Sequence, residues 1–248
     1  YFMFTILKKV TLPLIAVTGL LVSCDKIYND DYNNPPTPTV PATVFSAAGD
    51  SASIVPKLNE LRAALGDPLN SAPGVTGGRR EVNWDAVPPA FTNANNFPFD
   101  FFGSFDPAIA NGRKRGLIMT NTGTSFRVDS TDFSQIDASY AAQFEVFSKK
   151  RLFTYVNNNV TEVTFKVPGT NTDASVKGFG VIFSDVDNAN YTTIEFFNGS
   201  KSLGVFKAPA AAGAAKFSLL GVHFPTEKIT RLKITAGNGL LANGTKDV

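Results

Sequence analysis

Apolar and polar residues alternate along 160–167, where Val163, Phe165 and Val167 share one side of a period-two repeat. Successive strand side chains point to opposite faces, so this is the pattern of a half-buried strand. Residues 178–186 form a nearly unbroken apolar run, suited to a strand covered on both faces. Residues 192–197 and 202–207 flank Asn198-Gly199-Ser200-Lys201; Asn and Gly tolerate the positive φ of a tight turn, which predicts a hairpin. Residues 216–224 and 228–235 complete the predicted strands. One helix is expected earlier: Ser51-Ala52-Ser53 offer caps, Ile54, Leu58, Leu61 and Leu65 recur at helical steps, and Gly66 with Pro68 ends the run. Beyond it the chain mixes Phe, Val, Ile, Thr, Asn and Gly. Short strands spaced by roughly 10 to 15 residues predict an all-β fold, a β-sandwich of jelly-roll type with one short N-terminal helix.

The N-terminal pattern is different. Lys8 and Lys9 precede an uncharged run over 10–22, interrupted only by Thr11, Pro13, Thr18 and Gly19. A basic region followed by about 13 apolar residues has the form of a secretory signal, and it falls short of the roughly 20 residues that a spanning helix needs. Met3, rather than Tyr1, stands as a candidate start. Leu21-Val22-Ser23-Cys24 resembles the lipobox of bacterial lipoproteins, which implies a diacylglyceryl group on Cys24 and cleavage just before it. Residues 1–23 are then a lipoprotein signal peptide, and the expected location is extracytoplasmic, at the outer membrane, cell surface or periplasm. Residues 24–43 carry four prolines between Pro35 and Pro41 and read as an extended, Pro-rich tether. Residues 44–248 contain no Pro- or Ser-rich break and no internal repeat, and read as a single domain.

Composition matters only after this division. The chain holds 23 basic and 21 acidic residues, for a formal charge of +2, and loss of Lys8 and Lys9 with the leader cancels that excess. No charge argument then remains for nucleic acid as a partner. Lipidation also consumes the only cysteine, leaving no disulfide, zinc-thiolate site or cysteine nucleophile.

Candidate chemistry lies in two stretches. Asp185-Val186-Asp187-Asn188-Ala189-Asn190 places hard oxygen ligands at the end of a predicted strand, as Ca²⁺ prefers, with Asp85 as a distant fourth ligand. The segment lacks the Gly and final Glu of a helix-loop-helix calcium loop, and the alternative is a polar turn whose Asx side chains bond their own backbone. The run GGRREVNWDAVP at 77–88 holds the only Trp. Glycans are bound by exposed aromatic faces with polar groups around them, which makes Trp84, Tyr140, Tyr155 and Tyr191 the aromatic candidates and Arg79 and Arg80 their polar or anion-binding partners. The alternative for Trp84 is a core or edge anchor, held in place by Arg79 or Arg80 against Asp85. Arg113-Lys114-Arg115 reads as a solvated basic loop. For catalysis, the only histidine, His223, sits in an apolar setting that suits a packed side chain. A carboxylate pair for glycoside hydrolysis would have to come from Asp85, Asp185, Asp187 and Glu195.

Together with Arg151-Leu152-Phe153-Thr154, VKGFGVIFSDVD at 176–187, Thr193-Ile194-Glu195-Phe196-Phe197 and SLLGVHF at 218–224, the Trp84 run resembles a family of exported bacterial β-sandwich proteins. Many of these carry a C-terminal sorting tail of the PEP-CTERM kind, and the family has no assigned biochemical activity. The resemblance spans about residues 61–239. This chain departs in having a lipobox, and in stopping where the family pattern continues into a further strand, which implies a domain lacking its C-terminal strand. The expectation is a non-catalytic cell-envelope lipoprotein, anchored to the membrane through Cys24, with glycan or extracellular matrix as the favoured ligand and Ca²⁺ as the candidate ion. A carbohydrate-active hydrolase and a purely structural envelope protein are the competing readings.

Overall fold

The computed structural model describes residues 1–7, 40–75, 77–120, 125–211 and 213–242. In chain order the elements are β1 (Phe2–Leu7), β2 (Thr43–Gly49), α1 (Ser51–Leu65), β3 (Arg80–Val82), β4 (Ala94–Phe97), β5 (Leu117–Thr120), β6 (Phe126–Asp129), β7 (Leu152–Tyr155), β8 (Val160–Lys166), β9 (Asp173–Ser184), β10 (Thr193–Asn198), β11 (Lys201–Lys207), β12 (Phe217–His223) and β13 (Arg231–Thr235). The chain is thus mostly β with one α-helix. Each strand predicted between residues 160 and 235 appears, as does the hairpin, with Gly199 at a φ of 61° in its turn. The Asp50 side chain, not a serine, caps α1 by accepting from Ser53 N at 2.8 Å. Cys24 and most of the tether lie outside the described residues. Besides β1, structure resumes slightly before residue 44: Val40 is buried in the core, and β2 starts at Thr43.

The strands pair antiparallel throughout, in two curled ladders of a ten-stranded sheet and one three-stranded sheet. One ladder runs β3–β1–β9–β12–β2. The other runs β11–β10–β13–β8–β5. They join where Phe165 and Lys166 of β8 pair with Ala174 and Asp173 at the start of β9. The separate sheet has the order β4–β6–β7.

Alternation decides which strand residues are buried. In β8, Thr161, Val163 and Phe165 are buried while the residues between them are half-exposed. One apolar cluster draws Val163, Phe165, Phe196 and Leu232 from one ladder and Phe4, Phe179, Leu220 and Val222 from the other. Rings link the two directly, Phe4 to Phe165 at 5.3 Å and Phe165 to Phe179 at 6.1 Å between centroids. Edge-on and tilted aromatic contacts of this kind add to the area they bury.

Helix α1 closes the outer side of β9 and β12, where Ile54, Leu58, Leu61 and Leu65 meet Met3, Phe45, Ile182 and Leu219. Glycine lets the helix approach: a Cβ at Gly221 would lie 2.4 Å from Leu61 Cδ2, one at Gly180 2.5 Å from the same atom, and one at Gly178 2.6 Å from Leu65 Cδ2. Gly180 and Gly221 are register partners across the ladder, so together they form a seat for Leu61.

Strand β1 was not predicted as a strand, because its residues belong to the expected leader. In the fold it pairs with β9 on one side and β3 on the other, with Phe2, Met3 and Phe4 buried.

Candidate functional site

The chain leaves β9 at Ser184 and turns sharply. Asp185 takes a φ of 63°, its N–H donates to Lys216 O at 2.9 Å, and its Oδ2 accepts from Gln143 Nε2 at 2.6 Å. These bonds hold a buried carboxylate, and after buried Val186 the chain emerges at Asp187 and Asn188. Asn188 Oδ1 then accepts from Asn190 N at 2.9 Å, and Asn188 O accepts from Tyr191 N at 3.2 Å. This is an Asx turn, in which a side chain takes the place of a backbone acceptor. Lys207 Nζ donates to Asn190 Oδ1 at 3.0 Å, tying the turn to β11.

After β13 the chain returns alongside this turn. Gly237, at a φ of 66°, donates from its N–H to Thr192 Oγ1 at 3.0 Å, and Asn159 Nδ2 donates to Gly237 O at 2.7 Å. Between the two loops lies a groove of about 300 Å³, lined by Val186, Asp187, Asn188, Tyr191, Thr192 and Asn238. Tyr191 is 45% exposed. A partly apolar ring beside amide and carboxylate groups suits a polyhydroxylated ligand, whose C–H face can stack while its hydroxyls bond.

Asp187, Asn190 and Tyr191 share one loop, while the other candidates lie elsewhere. Trp84 is only 3% exposed. Its ring stacks on Phe153 at 4.2 Å and 12° and meets Phe2, Phe97 and Phe102 edge-on, so neither face is open to a sugar and the core-anchor alternative describes it. Arg151 Nη1 donates to Asp85 O at 2.9 Å and to Val87 O, stapling this segment from outside. Tyr140 and Tyr155 are also buried; the Tyr140 hydroxyl donates to Ala242 O at 2.7 Å, and burial pushes the Tyr155 phenol well above its usual pKa.

Arg79 and Arg80 have separate fates. Arg79 donates to Glu81 Oε1 at 2.8 Å and to Asp67, and Arg62 donates to the same Glu81 Oε1 at 2.9 Å and to Oε2 at 3.0 Å. Arg79 is thus committed to an ion-pair network. Arg80 is fully buried; its Nη2 donates to Val75 O, while Nε and Nη1 have no acceptor among the described residues. Burial first, and the nearby Arg115 charge second, push its pKa down to about 10.

Three of the proposed calcium ligands have hydrogen-bond partners within the protein. Asp185 holds Gln143, Asn190 holds Lys207, and Asp85 Oδ1 accepts from Ser148 Oγ and Lys150 N at 3.2 Å each. Among the described residues no group of three or more His, Cys, Asp or Glu side chains gathers where it could hold a metal ion. Glu195 is bound by Lys233 at 3.1 Å and Ser202 Oγ at 3.0 Å on the outer face of β10. His223 ends β12, paired in register with Thr43 and Gly178. Asn238 is the groove residue missed from sequence; its signal was the Gly-Asn-Gly turn at 237–239, which marks a loop without saying what it faces. No helix among the described residues is long and apolar enough to cross a membrane. Comparison with known family models, curated proteins and solved structures finds no match.

Proposed function

We propose that the protein is a non-catalytic lipoprotein of the cell envelope, anchored outside the cytoplasm through Cys24, whose β domain binds a glycan or matrix saccharide in the Tyr191 groove. The observation that carries the ligand class is the exposed Tyr191 ring set beside Asp187, Asn188 and Asn238. We read the two ladders as facing layers of a jelly-roll-type sandwich, a reading supported by the ring contacts that cross between them. The hydrolase alternative draws no support from Asp85, Asp185 and Glu195, each of which is engaged by its own set of partners. Ca²⁺ on Asp185, Asp187, Asn190 and Asp85 would have to share these oxygens with donors already present, Lys207 at Asn190 and Gln143 at Asp185.

A glycan array probed with the cell-processed protein tests this. Binding that falls by roughly ten-fold or more in Tyr191→Ala, the scale of losing one stacked ring and its ordered neighbours, is the expected result. Binding and melting temperature should both be unchanged by chelator if the 185–190 segment acts as a hydrogen-bonded turn. Absence of any array signal sinks the glycan reading in favour of a structural role, and a chelator-induced drop in melting temperature would restore Ca²⁺.

A further inference from the structure

The fold makes structural use of residues that the lipobox would discard. Strand β1 is the sole ladder partner of β3 among the described residues, whereas β9 keeps β12 on its other edge. Phe2 faces Val181 and Val82, Met3 faces Gly180 and Glu81, and Phe4 faces Phe179 and Arg80. Without β1, apolar side chains of β9 and β3 and the flank of Trp84 lose their cover, and two facing edges present unpaired N–H and C=O groups. Such edges recruit an added strand, with main-chain bonds giving affinity and alternate side chains giving selectivity.

Arg80 says what that strand should carry. Register partners in an antiparallel pair project to the same face, so the fully buried Arg80 side chain lies on the side to which Phe4 projects. Phe4 offers it no acceptor, and its Nε and Nη1 stay unbonded beside the like charge of Arg115. A buried guanidinium with free donors is costly, and a carboxylate brought to it would form charge-assisted bonds.

We propose that the place held here by Phe2–Leu7 is a strand-acceptor slot, which in the processed lipoprotein takes an extended segment of a partner protein with apolar side chains at alternate positions and a carboxylate at the register of Phe4. The inference rests on removal of residues 1–23 under the function proposed above. Until cleavage, the leader's own first strand holds the slot.

Trp84 is the only tryptophan, with its ring centroid 5.6 Å from that of Phe2, so its fluorescence reports occupancy. The full chain is expressed in a lipoprotein-processing bacterium and its N-terminus is read by mass spectrometry. Processed protein is then titrated with a six-residue peptide of the Phe2–Leu7 sequence carrying Phe4→Asp, and with its Phe4→Lys counterpart. The expected result is a blue shift of Trp84 emission, a raised melting temperature and about ten-fold tighter binding of the Asp peptide. That preference should vanish in Arg80→Met, and the unprocessed Cys24→Ala chain should respond to neither peptide. A product that keeps residues 1–23 overturns the lipoprotein reading and the slot together, by mass alone. A processed product whose Trp84 ignores both peptides, binds them equally, or is protected by self-association overturns the slot alone.

Discussion

His223 is the residue whose environment makes the plainest solution prediction. It is the only histidine in the chain and sits half-buried at the end of β12. Burial first, and the Lys177 charge second, depress its pKa below the ordinary value. The fold therefore disfavours the imidazolium, and the sign follows: the His223 penalty is absent while both states are neutral, above about pH 6.5. Stability is lost as pH falls through that value toward the folded pKa, because the unfolded chain takes up the proton first. The single imidazole C–H signal should titrate with a midpoint below 6.5, and His223→Gln should flatten the urea midpoint over that interval. A midpoint at or above 6.5 would contradict the burial argument. His223 is thus tuned by packing and by Lys177, and among the described residues no carboxylate is paired to it as a catalytic relay would require.

At the scale of elements, the seat of α1 on the sheet is open to test. Leu61 occupies the space that side chains at Gly180 and Gly221 would need. Gly221→Ala should cost about 1–3 kcal/mol through overpacking, and Leu61→Ala about 2–5 kcal/mol through the cavity it leaves. The double variant should cost less than the sum, since the added methyl enters the vacated space; additive urea-denaturation energies would show that the two do not share it. The strands from β8 to β13 announce themselves because each is long enough to show alternation or a full apolar run, and residues 198–201 supply a turn. β3 to β7 span only three or four residues each, too few for a period, and their burial comes from a shared aromatic cluster that joins distant segments. The site divides the same way. Tyr191 and its Asx turn are local and readable, whereas the burial of Trp84 depends on Phe153 and Phe2, which only the fold brings to it.

For the whole molecule, the distribution of the core decides how many cooperative units exist. The main apolar cluster takes Phe97, Phe126 and Tyr155 from the three-stranded sheet, Phe196 and Ile234 from one ladder, and Phe179 and Val222 from the other. No single sheet keeps a core of its own. Helix α1 and its cluster share β9 and β12 with that core, so removing either layer uncovers the same two strands. A structure whose parts bury one another in this way should lose them together. Urea unfolding followed by Trp84 fluorescence, which senses the aromatic cluster beside β1, β3 and β7, should therefore coincide with unfolding followed by far-ultraviolet circular dichroism, which senses all strands. Two resolved transitions would instead divide the domain, and an early fluorescence change alone would locate the weak boundary at the aromatic cluster around Trp84.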